Sequence, residues 1–277
     1  MLGINRGLYV VTRSRFATPT RGHATRVRIH QCYLSVRRLE QLAKIKKNVN
    51  VQMSSAPPID GVLFGYAFNV TRCEGYMECV AACVKENNLD RKSNTQYIRI
   101  FEMEHGEMTP EVGDGKYFHE VPVADHFYMG VQCFHCQSAP CVKACPTKAT
   151  WQEPDGIVVV DYDWCIGCRY CIAACPYYGR RFNWIEPVVP VNEMTKKQHY
   201  LGNRIRSRGQ MEKCTFCVQR SREGRNPACV EACPTGARVF GNLLDPKSEI
   251  RFVLKNKKVF RLKEDLGTDP KFWYFVD

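Results

Sequence analysis

The chain has 277 residues, of which 44% are hydrophobic and 25% charged, as expected of a globular protein with one large or two small domains. Two numbers stand out: a formal charge of +12, from 40 Lys and Arg against 28 Asp and Glu, and 16 cysteines. No run reaches the ~18 apolar residues that a membrane helix needs, which excludes a direct membrane span by this sequence.

The charge is concentrated at the start. Residues 1–52 hold eleven basic side chains, from Arg6 to Lys47, against the single acid Glu40, so they carry +10 and leave only +2 for the other 225 residues. The Arg, Ser and Thr content suits an organelle transit peptide, and Met53 suits an internal start. Arg37–Arg38 is followed by Glu40, Lys44, Lys46 and Lys47, where a twin-arginine signal needs apolar residues. Residues 1–60 therefore read as a basic leader, disordered or removed, and a nucleic-acid partner is not expected for the body.

Fifteen cysteines follow in four groups. The first is incomplete: Cys73, Cys79 and Cys83, with Tyr76 standing where a further cysteine is needed. An insertion, residues 89–130, contains Tyr97–Phe101 and Tyr117–Val121, whose alternation around Gly113–Asp114–Gly115 predicts β structure. Next come Cys133, Cys136, Cys141 and Cys145, spaced C-x2-C-x4-C-x3-C before Pro146. Glu153–Pro154–Asp155–Gly156 is a turn signal, and Ile157–Val160 reads as a strand returning from it.

Cys165, Cys168, Cys171 and Cys175 form the third group, spaced C-x2-C-x2-C-x3-C before Pro176. A second insertion, residues 184–211, reads equally as a partner surface or a loop. The fourth group is Cys214, Cys217, Cys229 and Cys233, spaced C-x2-C-x11-C-x3-C before Pro234. The echo of Thr147–Lys148–Ala149 in Thr235–Gly236–Ala237 marks an internal repeat. Residues 247–277 end in Phe272–Trp273–Tyr274–Phe275, which suits a tail docking on a partner or folding back on its own core.

Three thiolates in a short loop can wrap an iron–sulfur cubane, and the fourth cysteine, expected to begin a helix and face away, ligates a neighbouring cluster. Zinc sites do not explain a trailing C-x3-C-P repeated three times, and a disulfide framework belongs to small secreted chains. No phosphate loop, Rossmann glycine run or haem-binding C-x-x-C-H is present.

The segments Val131–Cys136, Cys165–Cys171, Glu212–Cys217 and Val84–Asn88 resemble the motifs of the four-cluster, ferredoxin-type subunits of molybdopterin oxidoreductases, the dimethyl sulfoxide, polysulfide, tetrathionate and nitrate reductase group. The run from Arg72 to about Pro246 is also similar to the iron–sulfur part of alternative complex III. That resemblance implies an α+β fold in residues 61–246, made of two pseudo-symmetric double-cluster ferredoxin-like modules with a β-rich insertion. Residues 73–83 would pair with 214–233, and residues 133–145 with 165–175.

Carried over residue by residue, Cys133, Cys136, Cys141 and Cys175 hold one [4Fe–4S] cluster. Cys165, Cys168, Cys171 and Cys145 hold a second, and Cys214, Cys217, Cys229 and Cys83 a third. Cys73, Cys79 and Cys233 are left with three thiolates, which suits a [3Fe–4S] cluster; an empty site, or a four-iron cluster completed by Tyr76, water or a nearby Glu, stays open. His135 is expected to tune a cluster by hydrogen bonding, Tyr177 to pack over one and exclude water, and Arg180, with Arg181, to favour the reduced state by its charge.

The resemblance also implies partners: a molybdopterin-type catalytic subunit and an integral-membrane, quinone-reactive subunit. The chain itself would be peripheral, on the cytoplasmic face or carried folded to the periplasm with a partner. A soluble polyferredoxin is the alternative within electron transfer, and a zinc-bearing nucleic-acid module the alternative outside it.

Overall fold

The computed structural model describes residues 50–93, 95–106 and 120–277. The leader up to residue 49, with Cys32, and the stretch around Gly113–Asp114–Gly115 lie outside the described residues.

In chain order the elements are β1 (Gln52–Ser54), β2 (Phe64–Asn69), α1 (Glu78–Glu86), β3 (Arg99–Glu104) and β4 (His126–Val131). There follow α2 (Pro140–Lys143), β5 (Thr150–Gln152), β6 (Val158–Val160), α3 (Tyr170–Ala173), β7 (Arg180–Phe182), β8 (Lys197–His199) and β9 (Met211–Lys213). The chain closes with α4 (Val218–Ser221), α5 (Ala228–Glu231), β10 (Arg238–Asn242), α6 (Glu249–Asn256), β11 (Lys258–Phe260) and β12 (Phe272–Val276).

The main sheet runs in the order β10-β2-β12-β11, with β12 parallel to β2 and the other pairs antiparallel. Alternation along its strands splits the side chains between two faces. Ala67, Val239 and Phe275 pack with Ile250 and Val253 of α6, whereas Tyr66, Phe68, Phe272 and Tyr274 join the core that contains the cysteines. Phe272 and Tyr274 of the aromatic tail are fully buried in a central strand, with Phe272 stacked on Tyr66 and Phe134 at 5.0 and 4.7 Å. Residues 272–276 thus fold back on the chain's own core, where these rings cover the apolar face of the sheet.

Other expectations shift in detail. Residues 52–54, inside the expected leader, form β1, which pairs in parallel with β8 of the second insertion. The carbonyl of Ala56 accepts from His199 Nε2 and Arg222 Nη1, so residues 52–56 are tied to the second insertion and to the fourth cysteine group. The β structure of the first insertion is β3 against β4; the second strand lies at residues 126–131, and Glu120–Val121 is not part of it. The turn at Glu153–Gly156 and its returning strand are found as expected, in the β5–β6 hairpin.

The second insertion is fixed to the body by buried polar contacts. Arg206 pairs with Glu212 at 2.7 Å, both 1% exposed, and Glu212 also accepts from the Tyr97 hydroxyl at 2.7 Å. A buried pair of this kind stands only when its remaining donors are satisfied, and Arg206 also donates to the carbonyls of Asn87 and Arg204.

Candidate iron–sulfur centres

The four cysteine loops share a backbone device. The residue two places after the first cysteine has positive φ in every one: Gly75 (+80°), His135 (+45°), Gly167 (+69°) and Phe216 (+51°). Only glycine adopts this conformation freely, so His135 and Phe216 are held there by packing, their rings stacked at 3.7 Å. Tyr76 occupies the register of Cys168, since Gly75 and Met77 (φ +62°) repeat the backbone of Gly167 and Arg169 (φ +65°) before each helix starts.

The cysteine that begins each C-x3-C step, not the one that ends it, sits at a helix start. Cys79, Cys141, Cys171 and Cys229 are each the second residue of α1, α2, α3 and α5, whereas Cys145, Cys175 and Cys233 follow the helix end. The C-x3-C spacing is one helical turn, so the helix itself separates the two thiols. After the last cysteine, Lys148, Tyr178 and Gly236 again have positive φ, and each amide donates to the carbonyl of Cys145, Cys175 or Cys233 at 3.3–3.4 Å.

Helix packing then brings distant thiols together: α1 lies on α5 and α2 on α3. Cys73, Cys79 and Cys233 line one open pocket with Tyr76, Glu74 and Arg238, here called site 1. Cys83 neighbours Cys217, Cys214 and Cys229, which is site 2. Cys136 neighbours Cys133, Cys141 and Cys175 in site 3, and Cys171 neighbours Cys165 and Cys145, with Cys168 on the same loop, in site 4.

Burial, then the charge of its neighbours, pushes Cys83 well above the ordinary thiol range. The same causes raise Cys136 and Cys217 to about 12, and burial raises Cys73 to about 11. Cys145 is the exception: against the effect of burial, hydrogen bonds from Thr147 and the Thr150 amide hold it below its usual value. Thiols raised in this way stay protonated at neutral pH, so a metal must displace their protons on binding.

Around these sulfurs lie buried donors with no acceptor among the described residues: Arg180 Nε and Nη1, Arg238 Nη2, His135 Nε2 and Gln132 Nε2. Each such group costs roughly 1–3 kcal/mol if left unsatisfied. An anionic cluster, bound through thiolates and accepting from N–H groups through its sulfides, fits this donor set.

The four other expected residues all reach a site. His135 accepts from the Val158 amide through Nδ1 at 2.9 Å, and burial, then Lys213, Lys271 and Arg180, keeps it neutral. Tyr177 is buried against Phe134 at 4.5 Å and bonds the Thr268 hydroxyl, beside Cys136 and Cys175. Arg180 donates to Cys141 Sγ at 3.0 Å and to Thr150 Oγ1 at 2.9 Å, whereas Arg181 turns to the carbonyl of Gln96. Tyr76 lines site 1; it is 45% exposed, and a hydrogen bond to Glu74 raises its hydroxyl.

Several residues escape a reading of the sequence. Asn87 Nδ2 lies 3.5 and 3.6 Å from the sulfurs of Cys83 and Cys217, and the Tyr66 hydroxyl 3.3 Å from Cys229 Sγ. Arg238 donates to Tyr66 and to Gln132 at 3.2 and 3.1 Å. For Arg238 a signal existed: it stands five residues after Cys233, as Arg180 does after Cys175.

Comparison with known proteins agrees with this geometry. A 4Fe–4S dicluster domain matches residues 124–202 and 191–243. The chain is 40% identical over 235 residues to the Hdr-like menaquinol oxidoreductase iron–sulfur subunit 1 of Archaeoglobus fulgidus, covering 75% of this chain and 81% of that one. It is 38% identical to a putative dimethyl sulfoxide reductase iron–sulfur subunit of Halobacterium salinarum (76% and 78% covered). It is 35% identical to one of the chains of the polysulfide reductase of Wolinella succinogenes (76% and 92% covered). No described helix is long and apolar enough to cross a membrane. The chain belongs to the 4Fe–4S dicluster family of iron–sulfur electron-transfer subunits of membrane-associated oxidoreductase complexes.

Proposed function

We propose that this chain carries three [4Fe–4S] clusters, in sites 2, 3 and 4, and one [3Fe–4S] cluster in site 1, between a molybdopterin-type catalytic subunit and an integral-membrane, quinone-reactive subunit. Clusters held there supply one-electron transfer, and the protein contributes spacing, insulation and charge.

The observation that carries the reading is the order of the thiols. Cys79 of site 1 neighbours Cys83 of site 2, Cys214 of site 2 neighbours Cys133 of site 3, and Cys141 of site 3 neighbours Cys171 of site 4. One order of adjacency, 1-2-3-4, gives an entry and an exit at opposite ends. Sites 1 and 2 share α1 and α5, and sites 3 and 4 share α2 and α3, which supports two pseudo-symmetric double-cluster modules. At site 1 the fourth corner is Tyr76, turned to solvent, so three thiolates favour a three-iron cluster.

Both ends reach the surface. Trp164, Ile166 and Tyr170, on and beside the loop of site 4, are 66%, 67% and 63% exposed, an apolar collar of the kind a subunit interface covers. Anaerobic purification of the native complex, with iron, sulfide, zinc and subunit analysis, tests the proposal. A brown protein that co-purifies with a molybdopterin subunit and a membrane subunit supports it. An iron-loaded soluble monomer would point to a free polyferredoxin, and a colourless protein with zinc to the nucleic-acid alternative.

A further inference from the structure

We propose that Arg180 and Arg238 are a repeated pair of cationic bridges, each held between the two cluster sites of its module and raising the reduction potential of both. The inference rests on the cluster reading above.

The two arginines are equivalent by construction. Each is the fifth residue after the last cysteine of its group and the first residue of a strand, β7 or β10. Each follows the same turn, with a left-handed residue two places before it, Tyr178 or Gly236. Both are 3% exposed, and neither pairs with a carboxylate among the described residues. Burying an unpaired guanidinium is strongly unfavourable, so the counter-charge has to come from the cysteines and what they bind.

The positions of the guanidinium groups agree. Arg180 donates to Cys141 of site 3 on α2, and α2 packs on α3, which carries Cys171 of site 4. Arg238 lines site 1, acting on Cys73 and Cys79 there, and reaches Cys229 of site 2 through the Tyr66 hydroxyl. Room is reserved for it: a Cβ on Gly130 would meet Arg238 Nη2 at 2.8 Å. A fixed positive charge between two clusters stabilises the added electron on either one.

The test is a redox titration, followed by EPR, of the full complex carrying Arg180→Met, Arg180→Gln or Arg180→Lys, and the same changes at Arg238. Signals are assigned to sites by Cys→Ser variants. Arg180→Met and Arg180→Gln are expected to lower the reduced-to-oxidised ratio at fixed potential at least tenfold at sites 3 and 4, a fall of about 59 mV per tenfold for one electron. Sites 1 and 2 should stay within twofold, Arg238 variants should show the reverse, and lysine should retain most of each potential. A shift confined to one site, shared by all four, or equal for Lys and Met overturns the bridge. So does failure of every variant, lysine included, to retain iron, which would assign the arginines to folding. Wild-type protein without iron would instead sink the cluster reading itself.

Discussion

Residues 133–182, and residues 64–86 with 211–242, each carry cysteine loops with a positive-φ residue, a packed helix pair and a buried arginine, yet they are assembled differently. The first is contiguous, and its thiols come together across a few tens of residues. In the second, Cys83 meets Cys217 more than a hundred residues away, and the junction is made by β10 and β12 flanking β2. Long-range pairing carries a larger loop-closure entropy, offset by the fully buried aromatic face of that sheet. The incomplete thiol set also falls on this half, so the long-range half is the one where the pattern has been altered.

The contrast can be broken most directly at the sheet. Phe272→Ala removes a fully buried ring from β12 and is expected to cost about 3–5 kcal/mol in thermal or denaturant unfolding. Sites 1 and 2 should lose iron before sites 3 and 4; equal loss from all four would show that the halves do not differ in this way. A smaller effect is expected from the two equivalent loop glycines. A Cβ at Gly167 would meet the Gly209 carbonyl oxygen at 2.2 Å, and one at Gly75 the Tyr128 ring at 2.6 Å, both at positive φ. Each alanine should cost about 1–3 kcal/mol, with Gly167→Ala the worse because backbone yields less than a ring.

Smaller again is the surface. Trp164→Ala should weaken subunit association by about 1–2 kcal/mol, read as a faster dissociation rate, and leave the potentials unmoved. The least effect belongs to Asp277, next to the end of β12. A hydrogen bond from Arg72, at 2.7 Å, and one from Lys257 hold its carboxyl down at about 2, against an ordinary 3.8. A depressed carboxylate stabilises the fold above its ordinary value and loses that contribution as pH falls towards 2. Asp277→Asn should therefore flatten the acid limb slightly in that window, and an unchanged acid titration would show that this pair does not help to hold the tail.

Much of the site was legible because its chemistry repeats at fixed spacing. The cysteine intervals, the place of Tyr76 in the register of a cysteine, the nearby Arg180 and Tyr177, and the β5–β6 hairpin all follow from local pattern. The tail was ambiguous, since exposed and buried aromatics look alike in a sequence. Arg238 was missed for a related reason: arginine is mostly a surface residue, and only superposing the groups on their last cysteines reveals its equivalence to Arg180. The pairings of β1 with β8, of β3 with β4 and of Arg206 with Glu212 are tertiary. The fourth cysteine was assigned to a helix start, whereas the cysteine that begins the C-x3-C step sits there.

The central claim is that four thiol sites hold three complete clusters and one altered at Tyr76. EPR of the oxidised wild-type protein beside Tyr76→Cys tests it most directly. A three-iron signal in the wild type, lost in Tyr76→Cys with the gain of a further reducible four-iron centre, is the predicted result. An oxidised wild type without that signal, or a Tyr76→Cys spectrum identical to it, would contradict the account.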